Sequence, residues 1–489
     1  MNTTIDELTS HVQRANRAFE AARSAAPSTR AGWLEAIAVA LGDQEEPLIQ
    51  AAALETHLPA GRLAGELKRT IFQLRLFADE ILKGEHFDAT IDEADANWGM
   101  GPRPDLRRLN VPLGVVGVFG ASNFPFAFSV IGGDSASALA AGCAVVHKAH
   151  DAHLSLATLT GEIVTTALAA AGAPTGLFAL VSGREAAGAL IDHPLVKAIG
   201  FTGSTAGGRA LFDRANRRPE PIPFFGELGG INAVVVSEGT WKERREETLH
   251  GYVDSFTLGM GQFCTKPGLL LIPSGDTEEV RRTLSDAVAG VTPGRMLSDN
   301  LQAGYVNAVK RVRSSAAVDV LVEGDFTDKP KPTLLHTTAA EALTDPGVLT
   351  EEMFGPASVI VEYTGQTELL DVIQALEGQL TTTVHAEPGE DLSPILTRLA
   401  DISGRVIWNS WPTGVTVSFA QHHGGPYPAT TSTTTSVGTA AVRRFLRPVA
   451  YQGLPQEFLP EPVRSDNPWN VPQRINGVWV RPYESETSQ

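Results

Sequence analysis

The sequence predicts an α/β fold with two open, mostly parallel α/β domains and a small C-terminal arm. From Leu109 onward, short β-rich runs alternate with Ala-rich helical segments, and a second series of the same kind begins after Gly229. Strands that alternate with helices predict a parallel sheet covered by helices on both faces. The predicted strands are, in chain order, 115–119, 144–147, 178–181, 197–201, 233–236, 269–272, 358–361 and 405–408.

The segments outside the two series have different patterns. Apolar residues recur at helical spacing in 34–41 and 71–78, so most of the chain before Leu109 is expected to be helical. The Pro-rich tail from Pro448 is too irregular for a core and is interpreted as an arm that lies over a neighbouring subunit. The Thr- and Ser-rich run 430–436 is expected to form a surface loop.

The composition is that of a globular protein. Of the 489 residues, 43% are hydrophobic and 19% are charged, and the length suggests two or three domains. No apolar run approaches the roughly 20 residues of a membrane helix, and the N-terminus lacks the basic and apolar regions of a secretory signal. A net charge of -17 disfavours nucleic acid and anionic membranes as partners. A soluble, cytoplasmic protein is therefore expected.

Cys264 is one of only two cysteines, and its setting is unusual. It lies among glycines and polar residues in the run GQFCTKPG at 261–268, whereas Cys143 lies in an apolar run and is interpreted as a small buried hydrophobe. Cys264 is a candidate nucleophile, with an unreactive loop cysteine as the alternative, because reactivity requires surroundings that favour the thiolate. Two cysteines in different surroundings predict no disulfide framework and fit a reducing compartment.

Two predicted strands end in segments that suit a nucleotide. The Gly-rich turn 202–209, which includes Gly203 and Ser204, would present backbone N–H groups to a pyrophosphate at the start of a helix. After another strand, Lys148 and Asp151 suit the hydroxyl groups of a ribose. Each segment has an alternative interpretation, the first as a tight strand-to-helix turn and the second as a solvated loop.

Histidines are the other candidate functional residues. His147, His150 and His153 are spaced by three, but their segment is expected to change from strand to loop to helix, so they would not share one face. Without cysteine or glutamate partners in ligand spacing, no metal site is expected there. His423 is a candidate catalytic or substrate-facing residue, and a structural hydrogen-bonding role is the favoured alternative.

Five motifs occur in an order and spacing that resemble the aldehyde dehydrogenase superfamily over nearly the whole chain. FGASNFP at 119–125 looks like the family's oxyanion-asparagine segment, GELGG at 226–230 like its general-base segment, and GQFC at 261–264 like its nucleophile segment. The Gly-rich turn 202–209 and the run EMFGP at 352–356 complete the set.

The resemblance implies NAD(P)-dependent oxidation of an aldehyde to a carboxylic acid. Cys264 would attack the aldehyde carbonyl, while the Asn123 side-chain amide and the backbone N–H of Cys264 hold the oxyanion. After hydride transfer to nicotinamide, Glu227 would activate the water that hydrolyses the thioester. A coenzyme A-acylating relative and a non-catalytic binding protein are the alternatives. Glu227 argues against the first, and the presence of all three residues argues against the second.

The resemblance also implies a dinucleotide cofactor. Asp151, near the ribose, would accept a hydrogen bond from a 2′-hydroxyl and repel a 2′-phosphate, so NAD is expected and NADP is the alternative. The other roles carried over by motif are contacts to the adenosine ribose and pyrophosphate (Lys148, Gly203 and Ser204), to the nicotinamide ribose (Glu352) and to the nicotinamide ring (Phe354).

The C-terminal third narrows the resemblance. HGGPYPAT at 423–430, SVGTAAV at 436–442 and RFLRP at 444–448 look like the α-ketoglutaric semialdehyde (2,5-dioxopentanoate, or 2,5-dioxovalerate) dehydrogenase branch. The implied substrate is a small aldehyde that carries a carboxylate, and a broad-specificity, fatty or aromatic aldehyde dehydrogenase is the alternative. Lys266 departs from this branch, where a small polar residue is more usual. It is expected to act on Cys264 or on an anionic substrate, or else to point to solvent.

The domain organisation follows from the strand series and the resemblance. Residues 1–228 are expected to form a Rossmann-like cofactor-binding domain, with 95–111 as a subunit-bridging hairpin. Residues 229–421 would form the catalytic domain. Residues 422–489 would return to the cofactor domain and end in an oligomerisation arm, and a homodimer or homotetramer is expected.

Overall fold

The computed structural model of the protein describes residues 2–481, so the last residues of the expected arm, 482–489, lie outside the described part. The chain before residue 83 is helical, as predicted. The first helix begins at a capping box in which Thr4 and Glu7 bond each other's backbone N–H groups. The α-helices are α1 (Ile5–Ala22), α2 (Pro27–Asp43), α3 (Glu45–Thr56), α4 (Ala60–Leu82), α5 (Gly133–Ala141), α6 (Leu154–Ala170), α7 (Arg184–Asp192), α8 (Thr205–Asn216), α9 (Glu238–Glu243), α10 (Arg245–Thr257), α11 (Thr277–Ala289), α12 (Asp299–Arg313), α13 (Ala339–Thr344), α14 (Gly347–Thr350), α15 (Gly365–Ala375) and α16 (Ser393–Ile402).

The strands form three sheets within the described residues. The strands are β1 (Ala89–Asp92), β2 (Leu106–Pro112), β3 (Val115–Phe119), β4 (Ala144–Lys148), β5 (Phe178–Val181), β6 (Val196–Thr202), β7 (Phe224–Glu227), β8 (Ala233–Val236), β9 (Leu269–Pro273), β10 (Asp319–Val322), β11 (Thr333–Thr338), β12 (Ala357–Tyr363), β13 (Thr382–His385), β14 (Val406–Trp408), β15 (Leu446–Gln452), β16 (Gln473–Ile475) and β17 (Val478–Val480).

The first sheet has the order β5-β4-β3-β6-β7, and all neighbouring strands are parallel. Its register aligns Phe119 with Lys148 and with Phe201, and Thr202 with Glu227. Because parallel strands end at the same edge, the segments after β3, β4, β6 and β7 meet there. This edge is where an open α/β sheet binds its ligand.

The second sheet has the order β10-β11-β12-β9-β8-β13-β14 and is parallel except for the antiparallel pair β10 and β11. Its central strands are buried on both faces: Ala233 and Val235 pack in one hydrophobic cluster, and Val234 and Val236 pack in another. The amino ends of β9 and β12 are adjacent, so the segments that precede them, 261–268 and 352–356, lie side by side.

The third sheet, with the order β15-β2-β1-β16-β17, joins the C-terminal tail to a hairpin near residue 100 of the chain. β15 pairs with β2 in antiparallel register and β16 pairs with β1 in parallel. The tail from Pro448 is therefore not entirely irregular, because three strands lie within or overlap it. Val478, Trp479 and Val480 on the outermost strand remain exposed. No helix among residues 2–481 combines the length and apolar character needed to cross a membrane.

The α/β fold class with mostly parallel sheets is confirmed, and every predicted strand occurs. In the first two sheets, strands β7, β10, β11 and β13 were not among the predicted strands, and neither were the five strands of the third sheet. The run 430–436 is a loop, as expected, but it is only partly on the surface: Thr433 is exposed, whereas Thr430, Thr435 and Ser436 are no more than 5% exposed. The run lies along β7, where Thr431 accepts a hydrogen bond from the Gly226 N–H (2.8 Å) and donates one to a strand carbonyl.

A buried ion pair connects the returning chain to the first sheet's helices. The side chain of Arg444 lies in the short 3₁₀ helix Thr439–Phe445, and its Nη2 atom is 2.5 Å from Oδ1 of Asp134 in α5. Both side chains are less than 10% exposed. Removing one partner of such a pair strands the other as an uncompensated buried charge.

We expect Arg444→Met to lower the free energy of unfolding by about 3–5 kcal/mol, because Asp134 would be left unpaired. Urea unfolding followed by circular dichroism measures this loss. Arg214→Met is the matched control, since Arg214 pairs with Asp192 at a similar distance but both side chains are about half exposed. The control should lose less than about 1 kcal/mol. Equal losses in the two variants would contradict the structural role of the Arg444 pair.

Candidate active site

Three side chains from distant parts of the chain meet at the carboxyl edge of the first sheet. Glu227 is the last residue of β7, Cys264 precedes β9, and His423 lies in the coil that returns from the second sheet. His423 Nε2 is 2.8 Å from Glu227 Oε1 and 3.6 Å from Cys264 Sγ. Glu227 and His423 are almost fully buried, whereas Cys264 is partly exposed. A nucleophile, a carboxylate and an imidazole are therefore in mutual contact.

The returning coil orients Glu227 through its side chains and its backbone. Ser436 Oγ donates to Glu227 Oε2 at 2.7 Å, and the Ser436 N–H donates to the carbonyl of His423 at 2.9 Å. The His423 N–H in turn donates to Thr435 Oγ1 at 2.8 Å. Because an ionised carboxylate only accepts hydrogen bonds, the proton between His423 and Glu227 is on Nε2 of the histidine.

The nucleophile segment is held by backbone geometry. Gly261 has φ 65°, and a Cβ atom at this position would lie 2.1 Å from the carbonyl oxygen of Gly355, so only glycine fits. The side-chain amide of Asn232 donates to the carbonyls of Cys264 (2.7 Å) and Lys266 (3.1 Å). These contacts fix the loop on both sides of the thiol.

Asn123 lies against the same segment. Its Nδ2 atom donates to the backbone carbonyl of Gln262 at 3.0 Å. The backbone carbonyl of Asn123 accepts a hydrogen bond from Nη2 of Arg62 at 2.8 Å. Asn123 is 7% exposed. An amide has two N–H donors, so one remains to meet an oxygen that develops negative charge beside Cys264.

The electrostatics of the site keep Glu227 ionised and the thiol protonated. Burial raises the pKa of Glu227, but the charge of His423 and hydrogen bonds from His423, Ser436 and Cys264 outweigh burial, so the pKa is lowered. The pKa of Cys264 is raised well above 9.0 by burial and by the neighbouring Glu227 carboxylate. The resting cysteine is a thiol whose hydrogen-bond acceptor is already the base that can take its proton.

The cofactor residues expected on the first sheet lie along its carboxyl edge. Lys148 ends β4, and its Nζ atom is 2.9 Å from Oδ1 of Asp151. Gly203 and Ser204 connect β6 to α8, and Ser204 Oγ caps the helix by accepting from the Gly207 N–H at 3.3 Å. The N-terminus of α8 therefore faces the edge, where its N–H groups and partial positive charge suit a phosphate.

The residues expected at the nicotinamide end come from the second sheet. Glu352 and Phe354 are partly buried in the segment before β12. A Cβ atom on Gly229 would lie 2.3 Å from Glu352 Oε2 and 3.0 Å from the Thr205 hydroxyl, so Gly229 permits Glu352 to approach the start of α8. The two sets of residues therefore approach each other at the start of α8, and this placement fits a dinucleotide.

Lys266 takes none of the roles expected from the sequence. It is 4% exposed, and its Nζ atom donates to the carbonyls of Met353 and Ala357, each at 2.7 Å. Burial lowers the pKa of Lys266 and raises that of Glu352, and each charge opposes the effect on the other. Lys266 thus braces the segment that carries Glu352 and Phe354.

The histidines behave differently from one another. His147 contacts the Ser135 hydroxyl at 3.1 Å, and His153 Nε2 is 3.0 Å from the carbonyl of Ala121, so these side chains stabilise the strand ends. The potential ligand atoms that do converge are those of Glu227, Cys264 and His423, all within 4.8 Å of one another. Only a side-chain contact map identifies this group, since sequence reasoning favoured a structural role for His423.

A thiol beside an ionised glutamate, an amide donor next to that thiol and adjoining groups that suit a dinucleotide are features expected of a thiol-dependent dehydrogenase. The Aldehyde dehydrogenase family profile matches residues 2–446. The chain belongs to this family and is an NAD(P)-dependent enzyme that oxidises an aldehyde to a carboxylic acid.

Curated relatives and a solved structure agree with this classification. The chain is 44% identical over 477 residues to "Alpha-ketoglutaric semialdehyde dehydrogenase 2" of Azospirillum brasilense, which covers 95% of this chain and 90% of the relative. It is 39% identical over 485 residues to "Alpha-ketoglutaric semialdehyde dehydrogenase" of Acinetobacter baylyi, covering 97% and 92%. The crystal structure of 1-pyrroline-5-carboxylate dehydrogenase from Thermus with bound NAD has the same fold, with TM-score 0.76, 20% identity and coverage of 92% and 86%.

We expect the rate of Cys264 alkylation by iodoacetamide to rise with pH and to show an apparent pKa well above 9. We expect Glu227→Gln to lower that pKa. The substitution removes the negative charge that disfavours the thiolate, so alkylation at neutral pH should become faster. Mass spectrometry of the modified peptide measures the rate at each pH. Cys264→Ala controls for Cys143, which is 0% exposed. A pKa that is unchanged or higher in Glu227→Gln would refute the coupling.

Proposed function

We propose that the protein oxidises α-ketoglutaric semialdehyde to 2-oxoglutarate with NAD, through a thioester on Cys264. The observation that carries the chemistry is the contact of Cys264 with Glu227 and His423. The names of the relatives that are 44% and 39% identical support the substrate. A broad-specificity, fatty or aromatic aldehyde dehydrogenase remains the alternative with the same chemistry.

The first step is attack of the Cys264 sulfur on the aldehyde carbon. A carbon–sulfur bond forms while the thiol proton passes to Glu227, which already accepts a hydrogen bond from that thiol. The His423 N–H, whose nitrogen is 3.6 Å from the sulfur, stabilises the negative charge that develops on the sulfur. Asn123 and the backbone N–H of Cys264 stabilise the resulting oxyanion, and one such donor is worth about 100- to 1,000-fold in turnover.

The nicotinamide cofactor, when bound, accepts the hydride. The residues proposed to hold it lie along the carboxyl edge of the first sheet and in the segment before β12: Lys148, Asp151, Gly203, Ser204, Glu352 and Phe354. Lys148 also forms an ion pair with Asp151, so a carboxylate remains at the adenosine ribose. Asp151 can accept a hydrogen bond from a 2′-hydroxyl, whereas it would compete with a 2′-phosphate for Lys148, which supports NAD over NADP.

Glu227 then acts as the general base for hydrolysis. Once the proton received from the thiol has passed to solvent, Glu227 takes a proton from water while the water oxygen bonds to the acyl carbon. The carbon–sulfur bond breaks and Cys264 leaves as the thiolate, next to the His423 N–H. The lowered pKa of Glu227 keeps it ionised and ready to accept that proton. This base is also the argument against transfer of the acyl group to coenzyme A.

The quaternary structure and domain boundaries are part of the same proposal. The division at 228/229, the return at 422 and the bridging segment 95–111 are supported by the three sheets. The exposed Trp479 and its neighbours on β17, and the free edges of the third sheet, support assembly into a homodimer or homotetramer.

The proposed substrate and cofactor are tested by NAD(P)H formation with α-ketoglutaric semialdehyde, glycolaldehyde, benzaldehyde and octanal. We expect the keto-acid aldehyde to have the highest kcat/KM, and NAD to be preferred over NADP. Cys264→Ala should abolish turnover with every aldehyde. A higher kcat/KM for octanal or benzaldehyde would replace the proposed substrate with the broad-specificity alternative. A kcat/KM at least roughly tenfold higher with NADP than with NAD, a difference of about 1.4 kcal/mol, would reverse the cofactor assignment.

We expect Glu227→Gln to form one equivalent of NADH in the first turnover and then to turn over about 100- to 10,000-fold more slowly, because the base for hydrolysis is lost. Acylation survives because loss of the carboxylate charge lowers the pKa of Cys264 and makes the thiolate available without Glu227. Stopped-flow absorbance at 340 nm separates the two phases. Glu220→Gln is the control, since Glu220 pairs with Lys197 in a partly solvent-exposed ion pair. Loss of the first-turnover burst would instead make Glu227 essential for attack by Cys264.

A further inference from the structure

Arginine side chains surround the nucleophile segment, in a chain whose net charge is -17. Arg62 stacks 4.8 Å from the ring of Phe263, the residue before Cys264. Arg405 bonds the carbonyl of Gly414, whose N–H donates to Thr265 on the other side of the nucleophile. Arg69, in α4, lies 5.2 Å from the ring of Phe128, which is itself 6.2 Å from the ring of His423. The site is therefore enclosed by cations.

Two of these arginines hold backbone carbonyls, although among residues 2–481 each keeps one buried nitrogen without a hydrogen-bond partner, Nη1 in Arg62 and Nε in Arg405. Arg62 Nη2 donates to the backbone carbonyl of Asn123 at 2.8 Å, and the guanidinium packs against the rings of Phe124 and Phe263. Arg405 donates through both Nη atoms to the carbonyls of Pro412 and Gly414. These contacts brace the oxyanion segment and the loop at 412–414.

Arg69 differs from these two because it has no hydrogen bond of ordinary length to any described residue. Among residues 2–481, its Nη1 atom is buried and has no hydrogen-bond partner, and its Nη2 atom makes only a 3.4 Å contact with the carbonyl of Val415. A buried N–H that lacks a partner costs roughly 1–3 kcal/mol, or more when charged. That cost is recovered when an anionic ligand supplies the acceptor.

The charges that act on Arg69 point toward the active site. Burial lowers the pKa of Arg69, while the negative charges of Glu66, Cys264 and Glu227 oppose that effect. Glu66 lies one turn earlier on α4, but its Oε1 atom accepts from the N–H groups of Phe126 and Ala127, at 2.8 and 3.0 Å. No ion pair within 4.0 Å joins Glu66 to Arg69 among the described residues. The guanidinium is thus close to the catalytic groups without being neutralised by a direct partner.

We propose that Arg69 binds the carboxylate at the far end of the substrate and thereby selects aldehydes that carry one. This assignment rests on the proposed function. A guanidinium presents two parallel N–H donors that match a carboxylate, and the ring of Phe128 covers one of its faces. With its carboxylate on Arg69, a short keto-acid aldehyde directs its carbonyl carbon toward Cys264. Arg69 is a specificity residue and takes no part in bond making.

The test compares kcat/KM of the wild type, Arg69→Met, Arg69→Lys and the control Arg75→Met with two aldehydes, α-ketoglutaric semialdehyde and pentanal. Pentanal has the same number of carbons and no carboxylate. Arg75 is on the same helix but forms an exposed ion pair with Glu35. For Arg69→Met we expect a loss of roughly 10- to 100-fold with the keto-acid aldehyde, mainly in KM, and a change within about twofold with pentanal. Arg69→Lys should lose less kcat/KM with the keto-acid aldehyde, since lysine keeps the positive charge but not the two parallel N–H donors.

Binding of 2-oxoglutarate, measured by isothermal titration calorimetry, gives a readout independent of turnover. Its Kd should rise in Arg69→Met by a factor similar to the change in KM. If Arg69→Met does not fold, the selective loss in Arg69→Lys and its raised Kd decide the question. Equal losses with both aldehydes, or no loss with the keto-acid aldehyde, would overturn the role of Arg69 and leave the substrate standing. A wild-type preference for pentanal would overturn the proposed substrate itself.

Discussion

The site depends on burying an ionised carboxylate at Glu227. A buried charge is costly unless hydrogen bonds replace its water. Here the donors are His423 Nε2 at 2.8 Å and Ser436 Oγ at 2.7 Å, and both come from a segment that is reached only after the second sheet is complete. The chain must therefore return to β7, and the same return carries Arg444 to Asp134. One electrostatic requirement links the catalytic base to the closure of the fold.

The cations around the site stabilise the negative charges that the proposed reaction creates. A thiolate, an oxyanion and a substrate carboxylate would all be anionic, and Glu227 already disfavours the thiolate by raising the pKa of Cys264. The guanidinium of Arg69 offsets this without a direct ion pair to Glu227, and the His423 N–H does so while it also donates to Glu227 at 2.8 Å. Lys266 is another buried cation near the site, and it holds the segment of Glu352 by donating to two backbone carbonyls.

Much of the fold and part of the site could be predicted from the sequence because the signals are local. The β-rich run at 115–119 matches β3 residue for residue, and the Gly-rich turn containing Ser204 is the junction of β6 and α8. The polar setting of Cys264 identified the thiol that contacts Glu227. The strands β7 and β13 were harder to recognise, because one ends in the charged base and the other is rich in threonine.

The sequence by itself determined the alternation of strands and helices, the family and the identity of the nucleophile, since each depends on residues close together in the chain. Only the tertiary structure decided which side chains meet across large separations. It placed the polar loop 430–436 along β7 with its two ends buried, joined His423 to Glu227 and turned Lys266 away from Cys264. The physical reason is that a hydrogen bond or a charge pair depends on distances of a few ångströms between atoms. Those distances are set by the packing of whole sheets and by the path of the returning chain, and neither leaves a periodic pattern in the sequence.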